Sequence, residues 1–304
     1  MRLEMQPEEP ITSALARRAE IPMGQTDAFR VFDGAGDGID DLSIDTFAGR
    51  WLVSTRGARV AAGVLEAAGD RTVYWKRLDP ESKRAPVHVA GPVQGAPFVA
   101  TESGLRYEID FAAGYSQGIF LDQRMNRMEV GQLVRDGETV LNLFAYTCAF
   151  SVVAARGGAV TTSLDLSGNY LEWGKRNFRL NEMDPKAHYF CKGDALDWLG
   201  RWRKAGRRFG GVILDPPTFS RTRGKVWRVE SDFAALVAAA AEVLEPGGWM
   251  LCSTNFRGIE REAFLAEVRF GLAEAGRRGT VVAAGMPPEF SGERYLKCCW
   301  VEAE

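Results

Sequence analysis

Histidine is nearly missing from this chain: 304 residues hold only His88 and His188, and neither C-x-x-C nor H-E-x-x-H spacing occurs. Zinc and most transition-metal sites need such residues in close company, so no metal site is expected. A charge excess is missing too. The formal net charge is −2, so a polyanion can be held only by a local patch and not by the field of the whole protein. A membrane span needs about 20 apolar residues, and the most apolar run, FAALVAAAAEVL at 233–244, falls well short. MRLEMQPEEP lacks the basic-then-apolar plan of a secretory leader. Five cysteines, an odd number, suit reduced thiols. The expectation is a cytoplasmic protein with no membrane contact, and no repeat or low-complexity tract breaks the chain.

What is present falls into segments of different period. Residues 1–25 read as an N-terminal arm in which ITSALARRAEI can form a short amphipathic helix. Residues 26–113 read as a small α+β module: FRVFDG, DLSIDTF, WLVSTR and TVYWKRL as strands, 58–69 as a helix ended by Gly69, and 98–111 as a hairpin turning at Ser103-Gly104. From residue 114 to 304 strands and helices alternate. TVLNLF, AVTTSLDL, AHYFCKG, GGVILD, WMLCST, TVVAAG and YLKCCWVEA are the strands, and Ser167 is a candidate N-cap. Such alternation predicts an α/β fold, a Rossmann-like, seven-stranded, mostly parallel sheet with ligands at the carboxyl ends of its strands.

Acids collect at those ends. Asn142 lies in the first strand, Asp165 ends the second, Gly193-Asp194 follow the third and Asp215 ends the fourth. A carboxylate at the position of Asp165 can accept both hydroxyls of a ribose, whether in a dinucleotide or in S-adenosylmethionine. The first loop separates the two. A pyrophosphate needs glycines that let the backbone approach, and FAYTCAFS has none. A ligand without phosphate fits better. The ordinary alternative for any single acid here is a solvated strand end; three in succession, followed by D-P-P-x-F, favour a cofactor site.

VLNLFAYT-CAFS, TSLDLSGNYLEWGKRNFRLN, DPPTFS and CSTNFRG resemble the class I S-adenosylmethionine-dependent methyltransferases that act on 23S rRNA. Within the RlmI/RlmK-like group they are most similar to the guanine-N7 (RlmK) half of the bifunctional bacterial enzyme. QGIFLDQRMNR resembles the segment that leads into that domain. The resemblance implies S-adenosyl-L-methionine as cofactor and RNA, 23S rRNA or an assembly intermediate, as partner. It places Asp165 with Leu166 at the ribose, Asp194 with Gly193 and Ala195 at the adenine, and Asn142, Phe144, Ala145, Tyr146 and Thr147 along the methionine end. Gln123 and Arg124 would approach from the preceding helix, and Asp215 would border the methyl. One departure is Cys148, where the family has glycine; a larger side chain there is expected to crowd the cofactor.

The resemblance also speaks to the acceptor. Cytosine C5 methylation needs a cysteine thiolate to add at C6. The family's cytosine enzyme carries it in the loop after the fifth strand, where this chain has Asn255; Cys252 falls three residues early. STNFRG follows the guanine-N7 motif with one change. In that reading Phe219 stacks on the base, Asp215 and the Pro216 carbonyl accept from its edge, and Asn255 offers an amide. The plain alternatives are a core ring for Phe219, a turn tie for Asn255 and a core thiol for Cys252. A cytosine-5 enzyme, or one acting on a protein or small molecule, is the competing function. Between Arg201 and Arg228 nine basic residues face the single acid Asp215. Arg221, Arg223, Lys225 and Arg228, with Arg257, are the expected RNA contacts, carried on an unstructured RTRGKVWR loop.

Overall fold

The computed structural model describes residues 8–78, 84–93, 95, 97–222 and 225–304. It divides into two compact units, one formed by residues up to Arg124 together with Pro287–Arg294, the other by Met125–Met286 and Tyr295–Glu304. Sequence reasoning puts the boundary at 113/114.

In the first unit helix α1 (Glu8–Ala19) occupies the expected arm and buries Ile11 and Ala14 fully. Strands β1 (Ala28–Asp33), β2 (Leu42–Phe47) and β3 (Arg50–Thr55) follow, then α2 (Ala62–Ala68), β4 (Val73–Arg77) and β5 (Val87–Ala90). The five strands form one sheet in that order. Its core holds Phe32, Ile44, Trp51 and Val53 against α1 and α2. The hairpin β6 (Phe98–Glu102) and β7 (Leu105–Ile109) is separate, and turns at Ser103 and Gly104, both at positive φ. Two buried ion pairs tie this unit together. Arg18 grips Asp37 through both terminal nitrogens and also donates to the Glu289 carbonyl at 2.7 Å. Arg124 holds the Glu289 carboxylate through Nε at 3.1 Å and Nη2 at 2.6 Å.

The second unit begins on α3 (Arg124–Leu133). It continues β8 (Thr139–Leu143), α4 (Ala149–Arg156), β9 (Val160–Asp165), α5 (Gly168–Leu180), β10 (Tyr189–Lys192), α6 (Ala195–Lys204) and β11 (Phe209–Leu214). A hairpin, β12 (Phe219–Thr222) and β13 (Lys225–Arg228), precedes α7 (Val229–Ala241), β14 (Leu244–Thr254), α8 (Arg261–Glu274), β15 (Gly279–Ala284) and β16 (Lys297–Ala303). The seven-stranded sheet has the order β10-β9-β8-β11-β14-β16-β15, and β16 alone runs against the rest. All six residues of β11 are buried because helices cover both faces of a central parallel strand. The chain winds outward from β8 to β10 and then returns to the other side of β8. The crevice this reversal opens lies at the carboxyl ends of β8 and β11, where open α/β sheets bind ligands.

One expectation is corrected here. RTRGKVWR is not an unstructured loop: its described residues belong to the β12–β13 ladder, with Phe219 opposite Arg228 and Ser220 opposite Trp227. Val226 and Trp227 are β-branched and aromatic residues that favour a strand, and the Trp227 N–H is anchored on the Pro217 carbonyl at 2.9 Å. Arg223 lies outside the described residues.

The buried Arg124–Glu289 pair gives a stability test. Arg124→Met strands a buried carboxylate, so urea unfolding is expected to show a loss of about 3–5 kcal/mol, most of it recovered in Arg124→Met/Glu289→Met.

Candidate functional site

The first loop is built on unusual backbone. Phe144, Tyr146 and Cys148 have φ of 57°, 49° and 63°, a left-handed conformation that residues with a Cβ rarely adopt. Hydrogen bonds on every side hold it. Ala145 donates to the Leu164 carbonyl at 2.9 Å, Cys148 to the Ala145 carbonyl at 2.7 Å, and Asn177 of α5 donates through Nδ2 to the Thr147 carbonyl at 2.9 Å. Asp165 is the central acceptor: Oδ2 takes the Tyr146 N–H at 2.9 Å and Oδ1 the Ser167 N–H at 2.8 Å. Burial pushes the Asp165 carboxyl above its usual range, an effect these N–H donors oppose without cancelling. Ser167 in turn caps α5, accepting from Tyr170 N–H at 3.3 Å. One carboxylate therefore joins β9, the first loop and the start of α5.

Cys148 does not crowd the crevice. Its side chain is fully buried against α5, where a Cβ on Gly174 would meet the sulfur at 2.3 Å. The missing side chain at 174 makes the room that the thiol fills. Burial, the leading cause, pushes the thiol up to about 12, so it stays protonated.

Beside the loop lies a cavity of about 370 Å³. Phe144, Asp165, Leu166, Gly193, Asp194 and Ala195, all expected at a cofactor, line it. Asp194 is also the N-cap of α6, accepting from Asp197 N–H at 3.1 Å. Gly193, at φ 156°, leaves no space for a side chain because a Cβ would strike the Trp198 indole. The remaining wall was not expected: Leu196, then Ser220, Val226 and Trp227 of the hairpin, then Asp232, Ala235 and Leu236 of α7. The signal for this wall was the spacing of Asp232, Ala235 and Leu236 on one helical face, which only the fold shows to be turned to the crevice. Apolar walls with carboxylates at two strand ends fit an adenosine, and the absence of glycine in the first loop fits a ligand without pyrophosphate.

Other expected residues sit elsewhere. Asn142 does not line the crevice: it is 2% exposed and donates through Nδ2 to Ser151 Oγ at 2.9 Å, with Ser163 next in the chain at 2.8 Å. A central-strand side chain here turns to the α4 face, and the buried amide needs a polar partner there. Ala145 and Thr147 are buried in the loop, and the half-buried Tyr146 ring meets Tyr170 edge-on at 4.6 Å. Gln123 is buried in the one-turn helix Leu121–Gln123 of the first unit, and Arg124 is bound to Glu289 in that same unit.

At the end of β11 the turn Asp215–Thr218 stands beside the end of β14. Ser253 donates to Asp215 Oδ1 at 2.6 Å, and Thr218 donates to Asn255 Oδ1 at 2.9 Å. Asn255 thereby presents its Nδ2 donors. Pro216 is buried, whereas Phe219 is 44% exposed with the Arg228 guanidinium 5.4 Å above its ring. Arg257 is exposed and lies 5.4 Å over the Tyr295 ring. Cys252 is fully buried opposite Cys299 of β16, and burial raises its thiol well above the usual range. Part of the basic run has structural duties: Arg203 pairs with Glu242, Arg208 donates to the Glu242 carbonyl, and Arg207 donates to Thr162 Oγ1.

A family profile described as S-adenosylmethionine-dependent methyltransferase matches residues 56–293. The chain is 30% identical over 320 residues to a Deinococcus radiodurans protein named ribosomal RNA large subunit methyltransferase, covering 97% of this chain and 78% of the relative. It is 36% identical over 209 residues to the ribosomal RNA large subunit methyltransferase K/L of Methylococcus capsulatus, covering 66% of this chain and 27% of that one. The crystal structure of SMU.776 complexed with SAH has a TM-score of 0.90 at 27% identity, covering 99% of this chain and 83% of that chain.

The thiol–glycine contact predicts a coupled pair. Gly174→Ala is expected to destabilise by about 1–3 kcal/mol through overpacking, and Cys148→Gly to remove most of that penalty, as a double-mutant cycle of unfolding energies will show.

Proposed function

The chain belongs to the S-adenosylmethionine-dependent methyltransferases, and on that premise we propose that it methylates N7 of a guanine in large-subunit ribosomal RNA. The observation that carries the choice of atom is the end of β14, where Asn255 is joined to the acceptor turn by Thr218 while the thiols of this region, Cys252, Cys298 and Cys299, are buried in the sheet. An enzyme acting at cytosine C5 needs a reachable thiolate; one acting at N7 needs none. The relatives' names support the RNA, and the exposed pair Phe219–Arg228 supports a base arriving at this turn.

In this reading Asp165 takes the ribose hydroxyls, Asp194 the adenine amine, and Leu166, Ala195 and Phe144 the faces of the adenosine. The loop Ala145–Thr147 lies along the methionine end, and its conformation is kept by Asn177 from behind. The cofactor supplies a methyl group already activated on a sulfonium. The Phe219 ring stacks on the guanine, a contact worth about 1–3 kcal/mol. Asp215 and the Pro216 carbonyl accept from the Watson–Crick edge, and Asn255 Nδ2 donates to the acceptor side of the base. The N7 lone pair then forms the new bond to carbon as the carbon–sulfur bond breaks. N7 carries no proton, so no base is required, and alignment of the two reactants can supply about 7–11 kcal/mol. Arg228 and Arg257 meet phosphates.

Incubation with unmodified 23S rRNA followed by nucleoside mass spectrometry tests this. We expect 7-methylguanosine, kept in Cys252→Ala and reduced at least about tenfold in Asn255→Ala. A 5-methylcytidine product, or loss of transfer in Cys252→Ala with S-adenosylhomocysteine still bound, refutes the assignment. A pH series tests Asp165. The ionised carboxylate is the form that accepts two hydroxyls, and its folded value is raised. Cofactor affinity is therefore expected to fall on acidification from above the ordinary carboxylate range, and to be weak and flat with pH in Asp165→Asn. Calorimetry of S-adenosylhomocysteine binding reads both.

A further inference from the structure

The turn Asp215–Thr218 has an anchoring problem. Pro216 and Pro217 carry no N–H, so the middle of this turn can be tied down only through its carbonyls. At its ends the turn is held by the Val229 N–H on the Thr218 carbonyl at 3.2 Å and by Ser253 on Asp215 Oδ1 at 2.6 Å; between them, the Trp227 indole N–H reaches the Pro217 carbonyl at 2.9 Å. The same indole, with Ser220 opposite it in the hairpin, forms part of the wall of the 370 Å³ cavity. Its ring centre is also 6.3 Å from that of Phe144 in the left-handed first loop, at a tilt of 36°. One side chain thus touches the turn, the cavity and the loop.

We propose that Trp227 is a positioning residue for methyl transfer, its ring closing the adenosine pocket while its N–H holds the turn that receives the acceptor base. The proposal rests on the base-methylating reading of this site. The filled pocket fixes the indole, and the indole fixes the turn, so cofactor occupancy and placement of the acceptor are set by one residue. A tryptophan that merely filled the hairpin would not need its N–H on the Pro217 carbonyl, in the stretch of the turn whose two prolines have no N–H of their own.

Two variants separate the parts. Trp227→Phe keeps an aromatic wall and removes the donor; Trp227→Ala removes both. Trp227→Phe is expected to bind S-adenosylhomocysteine within about twofold of the parent while turnover on 23S rRNA falls about tenfold, the rate equivalent of one net hydrogen bond. Amide hydrogen exchange across residues 218–222 should rise in the cofactor-bound state of that variant. Trp227→Ala should show the same loss and weaken cofactor binding about tenfold as well. If Trp227→Phe leaves turnover and exchange at parental values, or loses cofactor affinity as fully as Trp227→Ala, the proposal is overturned. Should the parent protein fail to methylate rRNA, the substrate reading fails alone, and calorimetry with exchange still decides the role of Trp227.

Discussion

The candidate site of the second unit depends on the two N–H bonds accepted by Asp165. Each left-handed residue of the first loop carries a steric cost that a surrounding set of bonds offsets, and the Tyr146 N–H bond to Asp165 does so beside those to the Leu164 carbonyl and from Asn177. With them, the end of β9, the loop after β8 and the capped start of α5 move as one piece. The carboxylate that receives the ribose in the proposed mechanism is thus the same group that shapes the floor beneath it. Each oxygen retains a further lone pair after its backbone bond, so the structural and binding duties do not compete.

Around that piece the site is assembled from elements distant in sequence. The acceptor turn follows β11, its partner Asn255 follows β14, and the outer wall comes from a hairpin and the first turns of α7. The sheet order explains why they meet: β11 and β14 are neighbours on the far side of the reversal from β9 and β10. In the proposed mechanism, ligand and acceptor approach the same crevice from its two flanks. The buried polar set behind the loop, Asn142 with Ser151 and Ser163, supplies the rigidity that a site working by alignment alone requires.

Much of this was legible in the sequence because it rests on local rules. Strand ends marked by acids, an N-cap serine before α5 and the alternation of strands and helices each declare themselves within a few residues. What was not legible depends on direction. Asn142 sits at a strand end as expected, yet its amide turns inward to a serine that only packing brings near. Arg124 sits beside the right motif, yet Glu289, far along the chain, captures it. The RTRGKVWR segment looked like a loop from its charge, since the first strand of its hairpin begins outside it, at Phe219. Cys148 looked like an obstruction because residue volume can be read from sequence, while the vacancy at Gly174 cannot be matched to it without coordinates.

That last pairing makes two positions on different elements into one unit. With glycine at both 148 and 174 the contact would be slack, and with cysteine against glycine it is filled. With cysteine against any residue that carries a Cβ at 174 the atoms overlap unless something shifts. A side chain can be restored to the helix without strain only after the thiol has left the loop, so the order in which the two positions are changed decides whether the intermediate protein is slack or overpacked.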